Sequence, residues 1–278
     1  MSRISYLNGK YVEHNSAMLH IDDRAIQFAD SVYEVILFHK NRLIDGVEHW
    51  LRLSSSLAKL SMQMPYLATE FNEIAHKLFT LNNIETGSIY IQVTRGVSPR
   101  NQLIPKKISQ TVIMTVIATT LPQLPDKINK AMIEPDIRWQ MCDVKSTGLL
   151  IGSLYKQKAV DNGFDDVIMQ RNNIITECCF SNLFIVKNNI ILTHPTDNFI
   201  LAGITRATLI KLAAQLSLTT KETKFEYNEL INADEVFSTS TTTFVRPIHM
   251  IDDSVINHGK TGQITQKLFY AYHEYINK

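Results

Sequence analysis

Alternating and helical spacings of apolar residues divide the chain into elements. Residues 4–7 and 10–13 flank Asn8-Gly9, a pair whose tolerance of left-handed backbone is the strongest short hairpin signal. Residues 31–39 read as a strand running into a turn at Lys40-Asn41. Val47, Leu51, Leu53, Leu57 and Leu60 recur at helical spacing and predict a helix over 47–60. A second helix is predicted over 70–81, ended by Asn82-Asn83. Residues 88–94 and 111–119 are β-rich and predict a strand pair, joined through a loop, 95–102, that holds two arginines.

The segment 121–126 carries Pro122 and Pro125 and predicts a linker. Beyond it, alternation over 132–144 puts Ile133, Ile137, Trp139 and Met141 on one face of an expected strand. A helix follows from about 147 to 160, stopped near Asn162-Gly163. Short strands are expected over 165–170, 174–176, 183–186 and 190–193, with turns at Asn172-Asn173 and Asn188-Asn189. Gly203 opens a helix through Leu216, a strand over 235–238 meets a run of hydroxyl residues, and a last helix covers 262–276. Strands and helices mixed without regular alternation predict an α+β fold. The linker divides it into an N-terminal domain, 1–120, and a C-terminal domain, 127–278.

Composition narrows the function. Of the 278 residues 45% are hydrophobic and 20% charged, as in folded globular chains. A net charge of +1 supplies no broad field for nucleic acid or an anionic membrane. No apolar run approaches the roughly 20 residues that span a bilayer, and the first residues lack a signal-peptide pattern, so no membrane partner is expected. Three cysteines, two of them adjacent (Cys178 and Cys179), argue against a disulfide scaffold and for a reduced cytoplasmic setting. No Cys/His cluster has zinc spacing, so no metal is expected.

Several residues could carry chemistry. Lys145 sits at the end of the expected strand, between Val144 and the capping residues Ser146-Thr147, where partial desolvation would make its amine a nucleophile toward carbonyls. Glu177 lies in a segment of apolar and small residues and could hold the proton of a cationic ring nitrogen. The helix opening at Gly203, Ile204 and Thr205, and the hydroxyl run containing Ser240, Thr241 and Thr242, together suggest a phosphate cradle. Arg95 and Arg100 bracket a Ser-Pro loop, where a guanidinium could grip a carboxylate. His49 and Arg52 share a helix face, usually a surface arrangement. Each feature alone has an ordinary reading: a surface lysine, an exposed glutamate, a helix cap, a solvated loop arginine. Adjacent Cys178 and Cys179 read as small buried side chains rather than a redox pair.

Their order along the chain is more specific. Asp23–Asp30, Val32–Val35, His49–Leu53, Tyr90–Arg100, Asp136–Trp139, Cys142–Ser146, Lys156–Ala159, Thr176-Glu177, Ser181–Phe184, Gly203–Arg206 and Ser240–Thr242 resemble, in family order, the class IV (fold-type IV) pyridoxal-phosphate aminotransferases, and within them the D-amino-acid branch. The resemblance implies a two-domain fold, with a small N-terminal α/β domain and a larger β-rich C-terminal domain. It implies pyridoxal 5′-phosphate as cofactor and a homodimer that exchanges an amino group between an amino acid and a 2-oxo acid. It assigns Lys145 to the cofactor aldehyde and to proton transfer, and Glu177 to the pyridine nitrogen. Arg52, Gly203, Ile204, Thr205, Ser240, Thr241 and Thr242 fall to cofactor binding. Tyr33, Arg100 and Gln102 fall to the substrate side.

Two positions depart from the D-amino-acid pattern. Gln102 stands where those enzymes carry a histidine, and it never carries charge. Cys178-Cys179-Phe180 replaces a small, serine-rich segment and resembles aminodeoxychorismate lyase, which makes that lyase the alternative activity. Branched-chain L-amino-acid transamination is a third reading.

Overall fold

The computed structural model describes residues 3–125 and 127–278. Met1, Ser2 and Asp126 of the expected linker lie outside the described residues. The chain forms two compact units. The first takes Met1–Leu121 with Val144–Gly148, and the second takes Pro122–Asp143 with Leu149–Lys278.

In the first unit the order is β1 (Ile4–Leu7), β2 (Lys10–Glu13), α1 (Arg24–Phe28), β3 (Ser31–His39), β4 (Arg42–Leu43), α2 (Gly46–Lys59), α3 (Ala68–Leu81), β5 (Thr86–Thr94) and β6 (Thr111–Ala118). Its strands make one sheet in the order β2-β1-β6-β5-β3-β4. Asn8 (φ 46°) and Gly9 (φ 87°), and Lys40 (φ 50°) and Asn41 (φ 58°), are consecutive left-handed residues, the backbone that closes a two-residue hairpin without splaying its strands. Period-two alternation sends Val32, Glu34 and Ile36 of β3 into the core, against α2. Leu53, Leu57, Phe71 and Leu78 of α2 and α3 fill that core with Ile89, Ile91, Met114 and Val116 of β5 and β6. The buried face of α2 is His49, Trp50, Leu53, Ser56 and Leu57. Val47 and Leu51, expected on the apolar stripe, are exposed, because Trp50 outweighs them and sets the helix rotation.

In the second unit the order is β7 (Lys130–Pro135), α4 (Leu150–Asp161), β8 (Asp166–Arg171), β9 (Ile174–Cys178), β10 (Asn182–Lys187), β11 (Ile190–Thr193), α5 (Ile204–Gln215), β12 (Thr219–Glu222), α6 (Tyr227–Ile231), β13 (Glu235–Ser240), β14 (Phe244–Pro247), β15 (Met250–Ile251), β16 (Ser254–Val255) and α7 (Gln263–Asn277). Two five-stranded sheets result, β12-β11-β10-β13-β14 and β16-β15-β7-β8-β9. Left-handed pairs at Asn172-Asn173 and Asn188-Asn189 close the hairpins β8–β9 and β10–β11. Ile168 and Ile175 of one sheet meet Leu183, Ile185 and Val236 of the other in a shared core. At roughly 1.5–3 kcal/mol for each buried aliphatic side chain, this interlayer is the unit's main stabilisation.

The structure corrects three expectations about residues 132–148. The strand expected over 132–144 stops at Pro135, and Ile137, Trp139 and Met141 are exposed. The Asp136 carboxylate accepts from the Arg138 backbone N–H and guanidinium, which bends the chain out of the sheet. The helix expected from 147 starts at Leu150, because the preceding residues are tied to β3. Ser146 bridges Val32, and the Thr147 N–H donates to Ser31 O. For the same reason residues 144–148, expected in the C-terminal domain, cluster with the N-terminal unit.

Candidate active site

Within the first unit, Lys145 is pinned by its backbone. Its carbonyl accepts from the Tyr33 N–H at 2.9 Å, and its own N–H donates to Ser56 Oγ at 3.2 Å. Val144 beside it is part of the core. The Lys145 Nζ stands 4.2 Å from the centroid of the Tyr33 ring. That ring stacks on Tyr90, whose centroid is 5.6 Å away. Burial pushes the Tyr90 hydroxyl up to about 12, so it stays a neutral donor to Gln92 Oε1. The amine therefore sits against a π face, a weak acceptor for the cation, on a half-buried segment.

Arg52 projects from α2 onto Glu34 of β3, with Nε donating to Oε1 at 2.7 Å and Nη2 to Oε2 at 2.8 Å. His49 Nδ1 donates to the same Oε2 at 2.8 Å. His49 is buried rather than a surface partner of Arg52, since Glu34 draws both side chains inward. Burial alone would raise the Glu34 carboxyl, but the Arg52 charge and the two donors hold it down at about 2. The two-pronged contact fixes the plane of the Arg52 guanidinium before any anion arrives.

The two loop arginines part company. Arg95 is buried, donating to Asp30 Oδ2 at 2.7 Å and to Leu60 O at 2.7 Å, so it holds the loop's base and not a substrate. Arg100 and Gln102 are exposed further along, and the Arg100 Cζ lies 5.1 Å from the centroid of Phe28. The loop closes at Gly96 (φ 113°), where a Cβ would stand 1.9 Å from Ser109 O.

Within the second unit, Glu177 of β9 is buried and held on both oxygens. Arg138 Nη1 donates to its Oε1 at 2.7 Å, Asn182 Nδ2 donates to Oε2 at 2.9 Å, and the Leu201 N–H reaches both oxygens at 3.3 and 3.2 Å. Burial pushes its carboxyl up, and the Arg138 charge and the Leu201 N–H oppose that. A carboxylate so placed can accept one more proton-bearing partner, such as a ring nitrogen.

The residues expected to form an anion cradle in this unit lie at a helix start and a strand turn. The helix α5 opens at Ile204 with Gly203 as N-cap and no side chain capping it, and first-turn N–H groups have no acceptor within a helix. Ser240 Oγ closes its own turn, accepting from the Thr243 N–H at 3.1 Å, with Thr241 half-buried and Thr242 exposed at the tip. Thr239 is paired in register with Asn182 and is 2% exposed, and among the described residues its hydroxyl has no partner. An uncapped helix start, an orphaned buried hydroxyl on β13 and an engaged carboxylate on β9 of the other sheet are the kinds of group that suit a phosphorylated pyridine.

Sequence reasoning passed over Glu34, Arg138 and Asn182, which orient the residues it did select. One signal was present: Glu34 occupies an inward position of an alternating strand, and a buried charge demands partners. The lyase-like pair Cys178 and Cys179 is buried with free thiols that burial pushes up, so both sulphurs are packing groups. Phe180 is half exposed and lies against Gly152 of α4, where a Cβ would stand 3.0 Å from its ring.

The family model for amino-transferase class IV matches residues 31–251. The D-alanine aminotransferase of Listeria monocytogenes serotype 1/2a is 39% identical over 276 residues, which cover 98% of this chain and 96% of that one. Among solved structures, the Escherichia coli branched-chain amino acid aminotransferase is similar with a TM-score of 0.90 at 24% identity, over 99% of this chain and 94% of that one. A Legionella pneumophila structure described as a putative 4-amino-4-deoxychorismate lyase gives a TM-score of 0.84 at 23% identity, over 94% and 96%. At those identities the two structures establish the fold alone.

Proposed function

Given that the chain belongs to the amino-transferase class IV family, we propose that it is a pyridoxal-phosphate enzyme that transfers the amino group of a D-amino acid, of the D-alanine or D-glutamate type, to a 2-oxo acid in two half-reactions. The observation that carries the reading is the near-full-length identity to a D-alanine aminotransferase. The clamped Glu177 and the Lys145–Tyr33 contact support it.

Bound cofactor would supply a ring that spreads the negative charge left on the substrate Cα when its proton departs. The chain's residues do the rest. Lys145 carries the cofactor and takes up the Cα proton on Nζ. Glu177 holds the ring-nitrogen proton, with Arg138 and Asn182 fixing its orientation. Arg52, pre-aimed by Glu34, takes the phosphate, as do the backbone of Gly203, Ile204 and Thr205 and the turn of Ser240, Thr241 and Thr242. Arg100 grips the substrate carboxylate, with Gln102 and Tyr33 lining the same side. The reading includes a homodimer in which Arg100 serves the partner's site.

Buried thiols without disulfides suit a reducing cytoplasm, and no helix among the described residues is long and apolar enough to cross a membrane. The lyase alternative, carried by the Glu177-Cys178-Cys179 segment, would use the same lysine and cofactor, and Tyr33-Glu34 and Arg100 favour the transaminase over it.

The test is a half-reaction. Purified holoenzyme carries a visible absorption band that D-alanine or D-glutamate abolishes, while L-leucine leaves it unchanged. The Lys145→Ala variant gives no turnover with either D-amino acid. A band indifferent to every D-amino acid, with pyruvate released from aminodeoxychorismate, would establish the lyase instead.

A further inference from the structure

We propose that the Phe28 ring is the seat that positions the Arg100 guanidinium, and so sets the affinity for the substrate carboxylate. The inference rests on the reading that Arg100 binds that carboxylate, and it adds a positioning residue to which no role has been given.

The ring is fixed by its own short helix. Asp23 caps α1 by accepting from the Ala25 N–H at 2.9 Å, and the same carboxylate accepts from the hydroxyls of Thr94 and Thr111 at 3.0 and 2.8 Å. Ala29 ends the helix in the left-handed region (φ 52°), its N–H returned to the carbonyls of Arg24 and Ala25. Phe28, the last helical residue, has little freedom between these two anchors.

Two guanidinium groups lie over the ring. The Arg24 Cζ is 4.6 Å from the centroid and the Arg100 Cζ is 5.1 Å from it, both within cation–π range. Their roles differ. Arg24 is buried, its Nε donates to Asp30 Oδ2 at 2.8 Å, and its Nη1 donates to Asn101 O at 2.7 Å. It is a structural cation that holds the backbone next to Arg100. Arg100 is exposed, and among the described residues no carboxylate lies within ion-pair distance of it. Its charge stays available to an incoming anion while the ring restricts its rotamers.

This restriction matters because an arginine bearing several free rotors loses that freedom when it captures a ligand, and a pre-seated one loses less. Gln102 adds no charge at this position, so the grip on the carboxylate falls on Arg100. Binding and chemistry are thereby separable: the ring acts on substrate affinity and leaves the proton transfer at Lys145 alone.

The experiment uses the holoenzyme and four variants. Phe28→Leu removes the π face. Phe28 replaced by 3,4,5-trifluorophenylalanine keeps the ring's shape and empties its face of negative charge, so it tests the contact if the leucine variant folds poorly. Phe28→Tyr keeps the face, and Arg100→Ala removes the cation. Both π-depleted variants are expected to raise the KM for D-alanine about three- to fivefold, with kcat within twofold of wild type. Phe28→Tyr restores the wild-type KM, and in an Arg100→Ala background neither change has further effect. If Arg100→Ala leaves KM unchanged, the carboxylate reading falls and takes the proposal with it. If Arg100→Ala raises KM while the trifluorinated ring does not, the carboxylate reading stands and the Phe28 proposal is overturned. A fall in kcat with KM unchanged also overturns it.

Discussion

Arg138 and Glu177 are thirty-nine positions apart in the chain, and the Arg138 Nη1 donates to the Glu177 Oε1 at 2.7 Å. The same guanidinium is held from behind by Asp136, with Nη2 donating to Oδ2 at 2.9 Å. Asp136 is itself buried, accepting from the Thr176 hydroxyl at 3.1 Å. Glu177 therefore ends a chain of charge-assisted bonds that reaches into the core.

Removing the guanidinium leaves Glu177 as a buried carboxylate without its cation and leaves Asp136 with Arg171 alone. Arg138→Met is expected to cost about 3–5 kcal/mol in urea unfolding, as for breaking one side of a buried pair. It also drives the Glu177 carboxyl further up, so cofactor affinity falls. Arg138→Lys should recover part of the stability, since the charge returns without the fork. A loss below about 0.5 kcal/mol would show the chain of bonds to be ornamental.

Glu34 makes stability depend on acid. Its carboxyl is held at about 2 in the folded state against an ordinary value of 4.5, so its stabilisation is complete above pH 4.5 and is lost as pH falls toward 2. The shift corresponds to about 3 kcal/mol across that window. Glu34→Gln is expected to be less stable at pH 7, and to lose less than wild type on going from pH 5 to pH 3. Other carboxylates held low, such as Asp30 and Asp136, titrate in both proteins and cancel in the difference. Parallel stability curves for the two proteins would exclude Glu34 as the source.

Gly203 is intolerant of any side chain. A Cβ there would stand 1.9 Å from Asn182 Oδ1 and 3.1 Å from its Cγ. Asn182 must then give up its bonds to Glu177 Oε2 and to Leu201 O. Gly203→Ala is expected to lose about 2 kcal/mol of stability and to weaken cofactor binding about tenfold or more, measured by equilibrium dialysis. Asn182→Ala should reproduce the binding loss without the clash. Full affinity in both variants would detach Asn182 from the site.

The homodimer reading has its own test. Alone, Lys145→Ala is expected to be inactive and Arg100→Ala to be strongly impaired at D-alanine concentrations well below its raised KM, where the assay is run. Refolded together, they give hybrid dimers in which one site has both residues intact if Arg100 acts across the interface. Activity should then return to about a quarter of wild type, the statistical share of intact sites. No recovery would mean that Arg100 serves its own chain or none.

Much of the proposed site could be read from the sequence, because its chemistry is written in residue type and order. Lys145, Glu177, Arg52, Arg100 and the Gly203–Thr205 opening were all selected without coordinates. The hairpins were equally legible: consecutive asparagines at 172–173 and 188–189 adopt left-handed backbone by local preference alone. Helix α2 was legible as a helix and misread in rotation, since apolar spacing does not say that Trp50 displaces Val47 and Leu51. The alternation over 132–144 looked like a strand and was not, because Asp136 found Arg138 two residues away and turned the chain.

By itself, then, the sequence determined which groups are present and which short turns close. Those outcomes depend on side-chain chemistry and on φ preferences of neighbouring residues. Only the tertiary structure decided that the segment carrying Lys145 joins the N-terminal unit, that Glu34 aims Arg52, that Arg138 and Asn182 clamp Glu177, and that Phe28 lies beneath Arg100. Most of these relations join residues separated by tens of positions. Their partners are chosen by which charges become buried together, and a buried charge must find its opposite wherever the fold brings one within reach.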